Sequence, residues 1–253
     1  MAHRENIGLI AITDHDTTEG VDEGREEAKR LGIGFIPGIE ISSRCDEGVL
    51  HILGYHVETK HEGLQRGLVE FQTARRQRNH RIIKKLQDLG IAISQKELRS
   101  SFTCNTVSPG RPHIASALVS KGIVADIGEA FRQYLGSSGK AFVEKEIYSS
   151  KETINMIHRA GGKAYVAHPN SLNRQEKRLE SYIARLCAEG LDGIEVYSAA
   201  HSAGQIKEYK RLASRLCLGI SAGSDFHGTT KPYIRIGINH CGKRATSDLI
   251  SLL

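Results

Sequence analysis

The sequence predicts an α/β fold, a parallel barrel interrupted by a helical insertion, and three observations predict it. Short β-branched or aliphatic runs alternate with stretches of helical periodicity, the pattern of βαβ units. Such runs lead into residues suited to divalent metals: Thr13-Asp14-His15-Asp16, Gly38-Ile39-Glu40, His51-Ile52-Leu53-Gly54-Tyr55, Ala167-His168-Pro169 and Ser224-Asp225-Phe226-His227. In a closed parallel barrel those strand ends share one rim, where such barrels keep their active sites. Between about His61 and Lys140 the strand signal disappears.

Taken in order, Ile7–Ile12 reads as the first strand. A helix around Val21–Leu31 follows Thr17 and Thr18, with Glu19, Asp22 and Glu23 early, Lys29 and Arg30 late, and Gly32 ending it, a charge order that complements the helix dipole. Gly34–Ile36 and Val49–Val57 are the next strands. The insertion reads as helices at Leu64–Leu89, Gln95–Ser100, Pro112–Lys121 and Ile127–Leu135. Alternation resumes with helix Lys151–Ala160, strand Lys163–Ala167, helix Gln175–Glu189, strand Gly193–Val196, helix Gln205–Cys217 and strands Leu218–Ser221 and Tyr233–Ile238. The barrel is therefore discontinuous, 1–58 and 141–253, with the helical insertion at 59–140.

A chain of 253 residues is long enough for one barrel with a sizeable core. Its 35 basic and 29 acidic residues leave a net charge of +6, which favours phosphorylated or polyanionic partners. Cys45, Cys104, Cys187, Cys217 and Cys241 are widely spaced with no Cys-x-x-Cys pair, the usage of reduced thiols rather than of a zinc ribbon. No run is long enough to span a bilayer and none forms a secretory h-region, so a cytoplasmic protein with no membrane partner is expected.

Along the long insertion helix Leu64, Leu68 and Phe71 start an apolar stripe continued by Ile82, Leu86 and Leu89, while Arg75, Arg76, Arg78, His80 and Arg81 crowd the turns between. A solvated basic face accounts for the run; contact with phosphates is the alternative. No aromatic residues interleave it, so a stacking platform for single strands is not indicated.

Imidazole nitrogen with carboxylate oxygen suits Zn, Mn or Fe, and the absence of Cys from the clusters argues for a catalytic rather than a closed structural site. His15, His51, His168 and His227 each adjoin a strand and a further polar or turn residue, whereas His56, His61, His158 and His240 read as core or surface residues. Glu40, after Pro37-Gly38, reads as a metal-bridging carboxylate, with a helix cap as the alternative.

The runs AITDHDTTEG, IPGIEISS, HILGYHV, GRPHIA, AHP, GIEVY and GSDFHG, in this order and over nearly the whole chain, resemble the PHP (polymerase and histidinol phosphatase) domain, in its subgroup of stand-alone metal-dependent phosphoesterases. The resemblance implies a distorted (β/α)7 TIM-like barrel with up to three divalent metal ions that hydrolyses phosphate esters by metal-bound hydroxide. Carried over by motif, His15 and His227 would serve one metal and Glu40 and Asp225 a second, with Glu40 bridging to a third completed by His51 and His168. Family members open with a strand ending in His-x-His, followed by an Asp-Gly motif. Here the only histidine before His15 is His3, out of place for that motif, so the resemblance implies an N-terminally truncated barrel lacking its first strand. Arg111 in Gly-Arg-Pro-His precedes a helix whose free N–H groups suit a phosphate that is not cleaved, with Pro112 at the first helical position; a surface cation is the alternative. His113 reads as a substrate contact or an ordinary helix residue. His201 resembles a family position that protonates the leaving group.

The function implied is a phosphoesterase acting on 5′-phosphorylated or 3′,5′-bisphosphorylated nucleotides or short oligonucleotides. Its alternatives are a phosphatase of a small monoester such as histidinol phosphate, and a non-catalytic remnant that binds nucleic acid or a partner through its basic helix.

Overall fold

The computed structural model describes residues 1–46, 48–94, 97, 110–144, 148–228 and 233–237. In chain order its elements are β1 (Leu9–Ile12), α1 (Glu19–Arg30), β2 (Gly34–Ser43), β3 (Leu50–Tyr55), α2 (Glu62–Asp88), α3 (Arg111–Ser120), α4 (Ile127–Ala130), α5 (Ser150–Arg159), β4 (Lys163–Val166), α6 (Glu176–Ala188), β5 (Gly193–Ser198), α7 (Ala203–Arg215) and β6 (Gly219–Gly223). The chain divides into two compact units, Met1–Gly67 with Tyr148–Leu253, and Leu68–Ile147.

The first unit is a mixed α/β fold on a six-stranded sheet whose spatial order is the chain order. Its β1–β2, β4–β5 and β5–β6 pairs are parallel, but β3 runs antiparallel to both β2 and β4. The expectation of an all-parallel sheet is corrected here. The connection 44–49 is too short for the crossover that parallel pairing requires, so the chain turns back as a hairpin. A second correction concerns Tyr233–Ile238: over the described residues Tyr233–Gly237 the backbone turns rather than extending, and Gly237 has φ 80°, outside the β region. The helix expected at Gln95–Ser100 lies outside the described residues apart from Glu97.

Since side chains alternate across a strand, register decides which residues share a face. The pairs Leu9↔Gly34, Ala11↔Ile36, Glu40↔Leu53, Ser42↔His51, Leu53↔Tyr165 and Tyr165↔Gly193 align one set on one side of the sheet. On that side Ile36, Leu53, Tyr55, Tyr165 and Ala167 form a buried cluster, with Leu9 and Ala11 against it. The opposite side takes helices: α1 packs on β1 and β2, α5 on β2, β3 and β4, and α7 on β5 and β6. Capping boxes fix two helix starts. Ser149 and Glu152 exchange side-chain-to-backbone bonds at α5, as do Ser202 and Gln205 at α7.

In the second unit α3, α4 and the greater part of α2 build their own core, in which Ile82, Leu86, Ile114, Leu118 and Leu135 are fully buried. Each such side chain contributes about 1.5–3 kcal/mol relative to exposure. After α4 the chain widens into a single looser turn over Phe131–Leu135, closed by the Gly136 N–H donating to the Phe131 carbonyl. Among the described residues no helix is long and apolar enough to cross a membrane.

Candidate metal centre

Glu40 lies within β2, on the sheet face just described, and is only 4% exposed. The β1–β2 register runs on past the end of β1 to an isolated pair, His15↔Glu40, held by the Glu40 N–H on the Asp14 carbonyl and the Asp16 N–H on the Glu40 carbonyl. A parallel ladder thus carries His15 to Glu40. The Asp16 carboxylate accepts the Ser42 N–H at 3.0 Å and clips the same segment down.

His51 arrives from the other direction. The apolar run before it suggests a strand end, but it is the second residue of β3; because β3 is antiparallel, its beginning lies at the same rim as the ends of its parallel neighbours. His168 follows β4 by one residue and has φ 26°.

The two Glu40 oxygens face different histidines. Oε1 is 2.7 Å from His51 Nδ1 and 3.1 Å from His168 Nε2, whereas Oε2 is 3.7 Å from His15 Nδ1. His51 Nδ1 and His168 Nε2 are 3.3 Å apart, and the rings of His15 and His227 have centroids separated by 5.7 Å. Ligand atoms of His15, Glu40 and His51 all lie within 4.8 Å of one another. Burial alone raises the Glu40 pKa, but His15, His51 and His168 outweigh it and hold the carboxyl well below its usual range. Conversely, burial lowers His168, and the Glu40 carboxylate overrides this to lift it to about 9. A divalent cation fits this donor set: imidazole nitrogens and a carboxylate, without thiolate.

Neighbouring groups orient the ligand atoms. The Ser171 hydroxyl donates to the Val49 carbonyl at 2.8 Å, which uses its only hydrogen; His168 Nδ1, 3.0 Å away, must therefore donate to it. That places the His168 proton on Nδ1 and leaves Nε2 facing Glu40. The His168 N–H itself donates to Glu195 Oε2 at 2.7 Å. Ser171→Ala frees the ring to adopt the other tautomer, and divalent-metal affinity in a competition titration is expected to fall about 10–100-fold, as for other partners behind a ligand. Wild-type affinity in this variant would sink the tautomer argument.

His227 Nδ1 donates to the Asp225 carbonyl at 2.7 Å and lies 3.2 Å from the Asp225 carboxylate, so its Nε2 is the free ligand nitrogen. Asp225 itself has φ 53°. His201 is 3% exposed; its Nδ1–H donates to the Val196 carbonyl at 2.9 Å, and its ring stands edge-on to Tyr209. Arg111 and His113 belong to the second unit. Arg111 donates to the Leu135 carbonyl at 3.1 Å and faces the rings of Phe131 and Phe142. It is the first residue of α3, so Pro112 is the second, not the first.

Two carboxylates of this region escape the sequence reading. Glu195, in β5, is raised to about 7, chiefly by burial. Asp14 is raised by burial and opposed by His227. An acid between Ile194 and Val196 in an otherwise apolar strand is the signal that could have marked Glu195. Of the histidines read as structural, His158 pairs with Asp192 at 2.7 Å and His56 is exposed; His240 lies outside the described residues. Cys45, Cys187 and Cys217 are free thiols.

No family model matches the chain. It is 33% identical to a 5′-3′ exoribonuclease of Haemophilus influenzae over 226 residues, covering 89% of this chain and 81% of that protein. It is also 33% identical to the 3′,5′-nucleoside bisphosphate phosphatase of Chromobacterium violaceum, over 87% of this chain and 76% of that one. Among solved structures, a Bifidobacterium adolescentis protein assigned as a metal-dependent phosphoesterase superposes with a TM-score of 0.83 at 27% identity, covering 99% of this chain and 88% of its own.

Proposed function

From a chain that belongs to the PHP family of phosphoesterases, hydrolases of phosphate esters, we propose a divalent-metal-dependent enzyme that cleaves 5′-phosphorylated or 3′,5′-bisphosphorylated nucleotides or short oligonucleotides. The observation that carries this reading is Glu40, a buried carboxylate whose two oxygens address separate histidines, the arrangement expected of a carboxylate shared between metal ions. Relatives that act on RNA and on a nucleoside bisphosphate support the nucleotide as substrate.

In this reading the sheet forms part of a distorted (β/α)7 barrel over 1–58 and 141–253, with 59–140 as its helical insertion, and the protein works in the cytoplasm. His15, Glu40, His51, His168, Asp225 and His227 hold up to three ions of Mn, Zn or Fe. When bound, such ions supply Lewis acidity toward phosphoryl oxygens and an acidified water. The chain supplies the rest. Glu40 divides its oxygens between His15 on one side and His51 and His168 on the other. Ser171 and the Asp225 carbonyl keep protons on Nδ1 of His168 and His227, leaving both Nε2 atoms as donors of electron pairs. His201, with Nδ1–H committed to the Val196 carbonyl, holds its transferable proton on Nε2 and delivers it to the leaving oxygen. Arg111 and His113 contact a substrate phosphate that is not cleaved.

The test is release of product from a nucleoside 3′,5′-bisphosphate and from a short 5′-phosphorylated RNA, with Mn²⁺ and with chelator. Turnover of at least one substrate with metal, and none with chelator, is expected. No turnover of either with metal would end the proposal, and preference for histidinol phosphate would move the substrate to a small monoester.

A further inference from the structure

Arg78 does not behave as a member of a solvated basic face. It is 5% exposed, its Nε is buried without a hydrogen-bond partner, and among the described residues no carboxylate approaches it. The charges close to it have its own sign. Burial first, and then Arg111, Arg75 and Arg81, bring its pKa down to about 10. Arg75, one helical turn before it on α2, and Arg111, at the start of α3, are likewise lowered by burial. This corrects the expectation of a solvated run: Arg76, His80 and Arg81 are exposed, but Arg75 and Arg78 turn toward the interior of the helical unit.

His113 adds a neutral donor. Its Nδ1 accepts the Gly110 N–H at 2.9 Å, so in the uncharged ring the hydrogen resides on Nε2. Burial and the charge of Arg75 both lower its pKa and favour that uncharged form. Three guanidinium groups, an imidazole N–H and the first turn of α3 therefore gather on one side of this unit. Donors abound there, and Arg78 has no anion to answer it.

A buried guanidinium without a counter-charge is strongly destabilising, so a fold that retains one has a use for the unmet charge. Planar forks of N–H groups match phosphate oxygens two at a time, and a dianion answers several of them better than a monoanion does. We propose that the helical unit carries a phosphate-binding site in which Arg78, with Arg75, Arg111 and His113, holds a terminal phosphomonoester rather than a bridging diester. The inference deepens the reading of Arg111 and His113 as substrate contacts and rests on it for the chemical class of the anion.

The experiment uses the full chain with Glu40→Gln, stripped with chelator, so that phosphate held at a metal centre does not contribute. Inorganic phosphate and dimethyl phosphate are titrated separately at pH 8 by calorimetry. Saturable phosphate binding is expected, weakened at least tenfold by Arg78→Met, with dimethyl phosphate at least tenfold weaker than phosphate. Equal affinity in Arg78→Met would overturn the site, and equal affinity for the two anions would overturn the monoester assignment. If Arg78→Met does not fold, Arg75→Met decides in the same titration: retained wild-type affinity overturns the site, a tenfold loss supports it. Because no turnover is measured, phosphate binding by a chain that proves inactive upholds this site while the enzymatic reading fails. Turnover without phosphate binding here would do the reverse.

Discussion

Glu40→Gln is expected to lower phosphoester hydrolysis by two to three orders of magnitude and to remove bound metal, while leaving a folded protein. Glutamine has nearly the volume of glutamate, so the packing of β2 against Leu53 and Ile36 survives the change. What is lost is the negative charge toward which His15, His51 and His168 all turn. An amide has one oxygen to offer, whereas the carboxylate presents one to His15 and the other to the His51–His168 pair; a neutral bridge cannot serve both sides. Losing the electrostatic stabilisation of a developing phosphoryl charge costs several kcal/mol, about a hundredfold to a thousandfold in rate. Elemental analysis after dialysis reads the metal, a thermal melt reads the fold, and the nucleotide assay reads the rate. A folded Glu40→Gln protein with wild-type metal content and turnover would remove Glu40 from the centre of the argument.

The convergence on Glu40 was only partly legible in the sequence. Periodicity and charge order indicate α1, α6 and α7 and the strands between them, because local propensity and end signals agree along those segments. The residue types of a metal site are equally visible in His15, Glu40, His51 and His168. Their juxtaposition is not local. It depends on a ladder offset that carries past Ile12↔Pro37 to His15↔Glu40, and on β3 running antiparallel so that its first residues reach the same rim. An apolar run reads the same in either direction, which is why the sense of β3 escaped; only the shortness of the connection 44–49 argues for it. Arg78 escaped for another reason. A charge run on a helix names no face, and which side turns inward depends on where α3 and α4 pack, information that no window of α2 contains.

Gly48→Ala is expected to cost about 2–4 kcal/mol of stability, the sum of a left-handed backbone penalty and an overpacking term, and to weaken metal binding although Gly48 offers no ligand. Gly48 has φ 76°, a conformation that alanine adopts only under strain. A Cβ built there falls 2.5 Å from the carbonyl oxygens of both Ser171 and Leu172. These are main-chain atoms and cannot rotate aside, so either the loop or the turn Pro169–Leu172 must lift. The two are fastened together: the Val49 N–H donates to the Ser171 carbonyl at 2.9 Å, and the Ser171 hydroxyl donates to the Val49 carbonyl. Lifting either one draws the Ser171 hydroxyl away from His168 Nδ1, and the imidazole loses the acceptor that keeps its Nε2 toward Glu40. Metal affinity should fall by about the same 10–100-fold as in Ser171→Ala, because both substitutions act through the same hydrogen bond. In the double variant the second change should then add little further loss of affinity, whereas independent effects would multiply. A denaturant titration measures the stability term and metal competition the other. Destabilisation with unchanged metal affinity would show that the loop anchors the fold without positioning His168.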